Sequence, residues 1–562
     1  MLEKIKIDIM TLLESSGITG EIELSVPPKP DMGDFAFACF SVAKNQNSAE
    51  FAANLANNID LANATYVNEV RNIGPYVNFF VDKKKVAEHL LGLIDERYGA
   101  HSTGKGQKVL VEYGCPNPMK VFHLGHLKNL ITGEAVARLL ENSGHETIRV
   151  NYQGDVGMHI AKTMWALDQK RDEFSSMQDE PLEKRIEFLG KTYAEGATAF
   201  DLDEKKKVLI EDVNTAIYEK KAEYTDLYET ARRWSLEYFE TIYEKLNTEF
   251  DRFYFESETF ARGADLVREH VGTVFVEGEG GAIIYAGETE GLHNRVFINA
   301  KGYPTYEAKE IALAEMHWRD HRPAKIYHVV GKEQTEYFRV VIRAIEKLFP
   351  EMVGVEEHVV GGFLQLQGVE KMSSRKGNVI SGDQLIDEVE KKVRDIMTES
   401  ELRGEQYVAH TITVAALKYA MLKADISQDV SFDMDESVNT SGDSGPYLLY
   451  IVARIRSILR EIKNEPFSNY APIELHESEE HLIMKLVEYP EVTKRAYQVI
   501  DPSHIARYLF TLAQSFNKFY QHCPVLKAEG NVRAFRIDLI RAVDTVMTRG
   551  LHVLGIGALD QM

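Results

Sequence analysis

An alternating apolar run from Val109 to Tyr113 stops at Gly114-Cys115-Pro116-Asn117-Pro118, a stretch that continues neither a strand nor a helix. Leu124, Leu127, Ile131, Val136 and Leu139 then recur at helical spacing up to Asn142-Ser143-Gly144, and Thr147 to Tyr152 reads as a second strand closed by Gly154-Asp155-Val156-Gly157. Strand, loop, helix and strand in this order form a βαβ-like unit. Its helix N-terminus faces the strand ends, where phosphate groups bind.

The helix opens with His123-Leu124-Gly125-His126, and Lys371-Met372-Ser373-Ser374-Arg375-Lys376-Gly377 follows much later. His123 and His126, three apart, are expected on one helical face with donors aimed at phosphate oxygens that gain charge as pyrophosphate leaves. Gly125 lets a flat base approach the backbone. Lys371, Arg375 and Lys376, among small polar residues and a glycine, suit an arm that closes on the β- and γ-phosphates, because phosphoryl chemistry depends on positioning and charge neutralisation. The pair reads as a nucleotidyl-transfer site. An HxxH pair also suits metal, but Leu124 is not the glutamate of HExxH and no Cys or carboxylate cluster completes a ligand set, so no protein-held metal is expected. Alone, the Lys/Arg loop would read as solvated surface.

On these motifs the chain resembles the class I aminoacyl-tRNA synthetases. His123–His126 is similar to their "HIGH" signature and Lys371–Arg375 to "KMSKS". The strings VEYGCPNPMKVFHLGHLKN and VNYQGDVG resemble the arginyl-tRNA synthetases in particular, as do GDFAFACFSVAK, TYEAKEIALAE, GKEQTEYF, LKYAMLK, SGPYLLYIVARI and FNKFYQHCPVL. The likeness covers nearly the whole chain. It implies His123, His126, Lys371 and Lys376 as catalytic residues, and Lys120, Gly125, Met372, Ser373, Ser374 and Arg375 as ATP-binding. It implies Asn117 and Gln334 at the amino-acid end of arginine, with Glu256, Tyr306 and Glu310 on the guanidinium, whose planar five-donor fork suits carboxylates and a phenol oxygen. Tyr306 and Glu310 share a helical face by spacing. The family usually has aspartate at the Glu310 position, one C–C bond or ~1.5 Å shorter. Ser374 stands where the general signature has lysine, which leaves Arg375, Lys376 and Lys120 to supply charge.

Read without the resemblance, Glu256 is a solvated carboxylate at a strand end, Asp155 is as much a turn former as a ligand, and Cys115 is a small spacer. Two other function classes remain: a class I ligase for another cationic amino acid such as lysine, and a non-catalytic tRNA-binding relative. The implied reaction uses ATP with Mg²⁺ and L-arginine, passes arginine to its tRNA, needs no bound prosthetic group, and in the family is typically started only with tRNA bound.

The implied architecture is α/β: a Rossmann-like parallel-sheet catalytic domain at 105–394 with a helical insertion at about 161–247, a small α/β N-terminal tRNA-contacting domain at 1–104, and an all-α anticodon-binding bundle at 395–562. Residues 1–104 carry an amphipathic helix, the Gly33-Asp34-Phe35 turn and a Tyr76–Val81 strand. Helical pattern runs throughout from about Asp395, clearest at Ala415–Leu422, Tyr447–Leu459, Ile505–Phe519 and Phe535–Val546. Tyr447 and Phe519 read as core rather than base-stacking platforms. At 562 residues and 44% hydrophobic the chain can bury several cores. Cys39, Cys115 and Cys523 are odd in number and far apart, which fits a reducing cytoplasm, and no apolar run reaches the ~20 residues of a membrane span. A monomer is expected. A net charge of −22 disfavours general attraction to polyanions, so tRNA contact needs local basic stripes such as Arg456, Arg460 and Lys463.

Overall fold

The computed structural model of the chain describes residues 1–43, 46–367, 380–397, 405–462 and 474–562. Lys371, Met372, Ser373, Ser374, Arg375, Lys376 and Lys463 lie outside the described residues. At the centre is a five-stranded parallel sheet of β1 (Lys108–Tyr113), β2 (Glu146–Gln153), β3 (Arg252–Phe255), β4 (Lys325–Gly331) and β5 (Glu356–Gly361), in the order β5-β4-β1-β2-β3. The chain winds outward from β1 through β2 to β3, then crosses to the other side for β4 and β5. Strand order therefore reverses between β1 and β4, and the crevice beyond their carboxyl ends is where open α/β sheets bind ligands. This is the Rossmann-like sheet expected from the sequence.

Helix α1 (Leu124–Asn142) connects β1 to β2 and is buried on nearly every side. One side packs on β1, β2 and β4, and another meets the C-terminal helix Gln406–Leu422. Gly133 allows the close approach, since a Cβ there would overlap the Tyr113 ring. One turn of charge is locked into this contact. Buried Glu134 accepts from Tyr113 Oη at 2.6 Å, Arg138 Nε at 2.6 Å and Arg149 Nε at 3.1 Å, tying α1 to β1 and β2.

Between β2 and β3 stand the helices Met158–Asp168, Leu182–Leu202, Glu204–Tyr218 and Ala222–Lys245, with a core of their own around Met164, Phe188, Ile210 and Trp234. After β3 come α2 (Glu256–Glu269), a three-stranded antiparallel sheet (Val276–Glu277, Ile283–Tyr285, Arg295–Ile298), α3 (Tyr306–His321) and α4 (Thr335–Leu348). That small sheet has no period-two signal, because its strands are two to four residues long and interrupted by Glu277-Gly278-Glu279-Gly280-Gly281.

Helix α5 (Gly382–Met397) runs through position 394, where the sequence suggested a division. The bundle beyond contains Gly445–Glu461, Glu477–Val499, Ser503–His522 and Gly530–Val553. It is not helical throughout: Val430–Phe432 is a short strand paired in parallel with Leu364–Leu366, too brief to leave a pattern. Tyr447 and Phe519 are buried, as expected. Of the basic stripe, Arg456 is held by Asp544 at 3.1 Å and Asp560 at 2.8 Å, and Arg460, itself exposed, donates to the Asp560 carbonyl at 2.7 Å, so both tie their helix to the chain's last described residues.

The N-terminal module is an antiparallel sheet ordered Leu24–Ser25, Phe35–Ala38, Tyr76–Val81, Val67–Ile73, packed by Leu2–Ser15 and Ser48–Asn58, with Lys83–Leu91 lying against the bundle helices Glu477–Val499 and Gly530–Val553. The segment after it docks on the bundle, with Tyr98 Oη donating to the Leu486 carbonyl at 2.9 Å and Thr493 Oγ1 to the Gly99 carbonyl at 2.6 Å.

Replacing Glu134 by Ala strips three donors of one buried acceptor and leaves Arg149 without its inner partner. A loss of ~3 to 5 kcal/mol is expected at neutral pH. The fold holds the Glu134 carboxyl below its usual 4.5, burial being outweighed by Arg149 and the other cations, so its contribution is complete above that pH and vanishes as acid protonates the folded form. Thermal unfolding of wild type and Glu134→Ala should therefore differ strongly at pH 7 and converge at low pH.

Candidate active site

The loop leaving β1 is strained. Gly114 (φ 80°), Cys115 (φ 40°) and Met119 (φ 61°) all lie in the left-handed region, which costs a non-glycine residue ~1 to 3 kcal/mol. The surroundings hold it there: Cys115 N–H bonds back to the Tyr113 carbonyl at 3.0 Å, and Met119 N–H reaches Ser235 Oγ at 2.9 Å from the helical insertion.

The loop delivers His123 to the N-terminus of α1 as its cap, not as a residue on its face. His123 Nδ1 accepts from the His126 backbone N–H, and His126 Nδ1 accepts from the His123 N–H, both at 3.3 Å. This reciprocal cap uses the same nitrogen on both rings, so in the neutral tautomer each ring carries its proton on Nε2, the free donor. The rings stack at 3.5 Å with an 18° interplanar angle. Burial pushes His123 down to about 4, helped by the Lys120 charge, and pushes buried His126 well below its usual value, helped by His123 and Lys120. The pair is neutral at physiological pH and presents two Nε2–H donors at a helix N-terminus, which favours an anion.

The described residues flanking the second signature are tied to the first. Gly382 N–H donates to the Phe122 carbonyl at 2.6 Å, and Gly382 sits against the Phe122 ring, next to His123. From α1, buried Lys128 holds the other flank, donating to the Gly362 carbonyl at 2.8 Å and the Gln428 carbonyl at 2.9 Å.

Across the crevice, the end of β2 and the start of α2 build a second half-site. At Gly154 a Cβ would collide with Asn117 Oδ1 and lie 3.3 Å from Glu256 Oε1, so two acceptor oxygens converge on the space the missing side chain leaves. His159 Nε2 lies 2.7 Å from the Gly154 carbonyl and fixes that peptide. Glu256 is buried, contrary to the solvated reading. Its Oε2 accepts from Lys309 Nζ at 2.6 Å, also buried, between the rings of Tyr306 at 5.0 Å and Tyr218 at 5.9 Å. Burial pushes the Glu256 carboxyl up while Lys309 opposes it, and Glu256 more than cancels the burial cost of the Lys309 ammonium, holding it above its ordinary value.

Tyr306 begins α3 and is exposed over about half its surface, 55%, with its hydroxyl pushed up to about 12 by desolvation and by Glu256. Glu310, one turn on, is half-buried and lies beside His328, Phe338 and Glu356. Gln334 caps α4 just beyond β4, on the opposite side of the switch point from Asn117. Lys120 links the halves, since its charge acts on His123, His126 and Glu256 alike. The structure thus links Asn117 with Gly154 and Glu256, Glu256 with Lys309 and Tyr306, and His123 with Gly125 and His126, while Gln334 stands at the start of α4 with none of these as a partner.

Asp155 is neither turn former nor free ligand. Its carboxylate accepts from Ser257 N–H (2.8 Å), Ser257 Oγ (2.8 Å), Tyr228 Oη (3.1 Å) and Arg232 Nε (3.0 Å), fastening the end of β2 to α2 and the insertion. Lys309, Gly154 and His159 escaped sequence reasoning as site residues. Lys309 left one signal, its position three residues after Tyr306 on the same helical face.

Gly154→Ala places a methyl on the Asn117 and Glu256 oxygens. Amino-acid activation should fall by at least ~100-fold, the scale of an ~1 Å misplacement at a reacting centre, while ATP binding, measured by calorimetry, stays near wild type.

Residues 89–434 match the family model "tRNA synthetases class I (R), catalytic domain", residues 448–562 match "DALR anticodon binding domain", and residues 2–81 match "Arginyl tRNA synthetase N terminal domain". A curated arginine–tRNA ligase of Treponema pallidum is 31% identical over 96% of this chain and 95% of its own, and one of Bdellovibrio bacteriovorus is 32% identical over 95% and 93%. The solved arginyl-tRNA synthetase of Thermus thermophilus superposes over the full length of both chains with a TM-score of 0.80 at 24% identity, a likeness of fold. With the crevice built as described and the match spanning all three parts, the chain belongs to the arginyl-tRNA synthetase family of class I.

Proposed function

We propose that this protein is an arginine–tRNA ligase that activates L-arginine with ATP and passes it to the terminal ribose of its tRNA. What supports this reading is a neutral double-imidazole cap at the start of α1 together with the buried carboxylate of Glu256 beside Asn117 and Gly154, both at the carboxyl ends of neighbouring strands. The first suits a triphosphate and the second suits a cationic side chain.

An arginine carboxylate oxygen attacks the α-phosphorus of ATP, the bond from that phosphorus to the β-phosphate oxygen breaks, and pyrophosphate leaves. Two Nε2–H donors and the α1 N-terminus face the charge that grows on the phosphate oxygens. Because both imidazoles are already neutral and held by the helix backbone, they need no proton change to donate. Lys371 and Lys376, with Arg375, neutralise the β- and γ-phosphates, while Lys120 supplies a cation between the halves. Met372, Ser373 and Ser374 complete the ATP contacts. A ribose hydroxyl of the tRNA end then attacks the adenylate carbonyl, and AMP leaves. ATP arrives as its Mg²⁺ complex, with the ion carried by the triphosphate; among the described residues no group of three or more His, Cys, Asp or Glu forms a metal cage.

Asn117 and Gln334 hold the amino-acid end. Tyr306, Glu310 and the free oxygen of Glu256 receive nitrogen donors, and the site rejects neutral side chains because they would leave these acids unpaired. The N-terminal module and the helical bundle flank the catalytic unit as tRNA-binding parts. No described helix is long and apolar enough to cross a membrane, and three free cysteines suit a reducing compartment. We place the protein in the cytoplasm, as a monomer.

ATP–pyrophosphate exchange with arginine or lysine, each with and without tRNA, tests the reading. Arginine-dependent exchange is expected, with lysine inactive; lysine-dependent exchange, or silence in every combination, contradicts it. Glu256→Gln should cost ~2 to 5 kcal/mol in kcat/KM for arginine with little change in KM for ATP. Equal losses for both substrates would remove Glu256 from substrate recognition.

A further inference from the structure

Most acids around the amino-acid half-site are already met by cations of the chain itself. Asp155 is held by Arg232 at 3.0 Å, and Glu307 of α3 by Arg295 at 3.1 Å. Deeper in the sheet, His328 of β4 stands opposite Glu112 of β1 in the parallel register. Its Nδ1 lies 3.2 Å from Glu112 Oε1, its Nε2 is in close contact with Glu356 Oε2 of β5, and all three side chains are buried. The remaining pair, Glu256 with Lys309, differs in where it lies. Glu256 Oε1 faces the space beside Gly154 and Asn117, while Oε2 carries the Lys309 ammonium.

The place that Lys309 occupies has the make-up of an ammonium site. Its Nζ lies 2.6 Å from Glu256 Oε2, 5.0 Å from the centre of the Tyr306 ring and 5.9 Å from that of Tyr218. A carboxylate oxygen with aromatic faces inside ~6 Å is a favourable surrounding for a primary ammonium. Both side chains of the pair are only 4% exposed, so water takes little part. Helix packing fixes the root of the lysine: at Gly263 of α2 a Cβ would overlap the Ala308 carbonyl, so α2 lies directly on the α3 backbone at Ala308 and Lys309, two turns along from Glu256. An amino acid ending in an ammonium needs a niche of this kind, because a compact, strongly hydrated charge gives up its water only for close acceptors. Here the niche is full, and a second ammonium brought to Oε1 would share one carboxylate with a like charge. A guanidinium is planar, more weakly hydrated and spreads five donors over three nitrogens, so it can use Oε1 with one edge and reach other acceptors with the rest.

We propose that Lys309 is a specificity residue: its ammonium fills the niche on Glu256 that an ammonium-ended amino acid such as lysine or ornithine would need, and leaves a single carboxylate oxygen that a guanidinium can use. This rests on the reading of Glu256 as a substrate-facing acid of an arginine ligase. No bond forms or breaks at Lys309. It acts through Glu256, by occupancy and by charge, and so excludes the wrong cation while holding the right one's acceptor in place.

The test is ATP–pyrophosphate exchange by the full-length protein with saturating tRNA. In the wild-type protein L-lysine should inhibit arginine-dependent exchange no better than 2-aminoheptanoic acid, which carries a methyl group in place of the ammonium. Lys309→Ala empties the niche, so lysine should then gain at least ~10-fold in inhibition relative to that analogue. In the same variant kcat/KM for arginine should fall, and added propylammonium should restore part of it where an equal concentration of sodium chloride does not, a rescue that simple loss of stability does not produce. Calorimetric ATP binding near wild type shows that the variant has folded, and the wild-type comparison stands even where it has not. Lysine inhibiting the wild-type protein ~10-fold better than the analogue overturns the proposal and leaves arginine ligation standing. So does a Lys309→Ala protein that binds ATP normally with either an unchanged lysine-to-analogue ratio or no response to propylammonium. Absence of any arginine-dependent exchange in the wild-type protein instead overturns the proposed function.

Discussion

The constraint on which the crevice depends is charge compensation in a nearly dry space. A pocket for a guanidinium needs acids, and acids buried without partners are costly. This protein meets the cost with resident cations. Lys309 occupies one oxygen of Glu256, and His328 bridges Glu112 and Glu356 across three adjacent strands. On the proposed reading, what remains for a substrate is the other oxygen of Glu256, the carboxyl of Glu310 and the hydroxyl of Tyr306. The empty site can thus fold without a ligand and still attract a cation.

The opposite half-site follows a complementary logic. Its groups are neutral imidazoles and backbone N–H donors, and on the proposed reading the cations that a triphosphate requires come from Lys120 and the second signature. Backbone strain at Cys115 and Met119 sets His123 at the helix start, and the reciprocal bonds between the two histidines choose their tautomers. Asp155 supplies the rigid link: by gathering four donors from α2 and the insertion, it holds Glu256 and Gly154 in register with the β1 loop.

Much of this was legible before any coordinates. The β1–loop–α1–β2 order, the paired signatures and the helical stretches of the bundle rest on local periodicity and turn residues, which single-chain patterns record well. Asn117, His123, His126, Glu256, Tyr306, Glu310 and Gln334 were reached only partly by chemistry and otherwise by resemblance; the structure brings Asn117 against Gly154 beside Glu256, and pairs His123 with His126. What the pattern could not record depends on contacts between distant elements. The cap role of His123 depends on a backbone reversal at Met119. The partners of Arg456 and Arg460 were out of reach because Asp544 and Asp560 lie a hundred residues or so further on. His328 and Glu112 become partners only through parallel pairing of β4 with β1. Each did leave one trace, a charged or titratable residue within an apolar strand, KIYHVVG and KVLVEY, where such groups are seldom buried without a task.

The most direct measurement is a crystal structure with a non-hydrolysable arginyl-adenylate analogue. The account predicts the phosphate-mimicking group within hydrogen-bond reach of Nε2 of His123 and His126, and the guanidinium against Glu310 and Tyr306 with Lys309 still on Glu256. An analogue whose guanidinium lies outside this acidic crevice, or whose phosphate mimic is remote from both imidazoles, would contradict it.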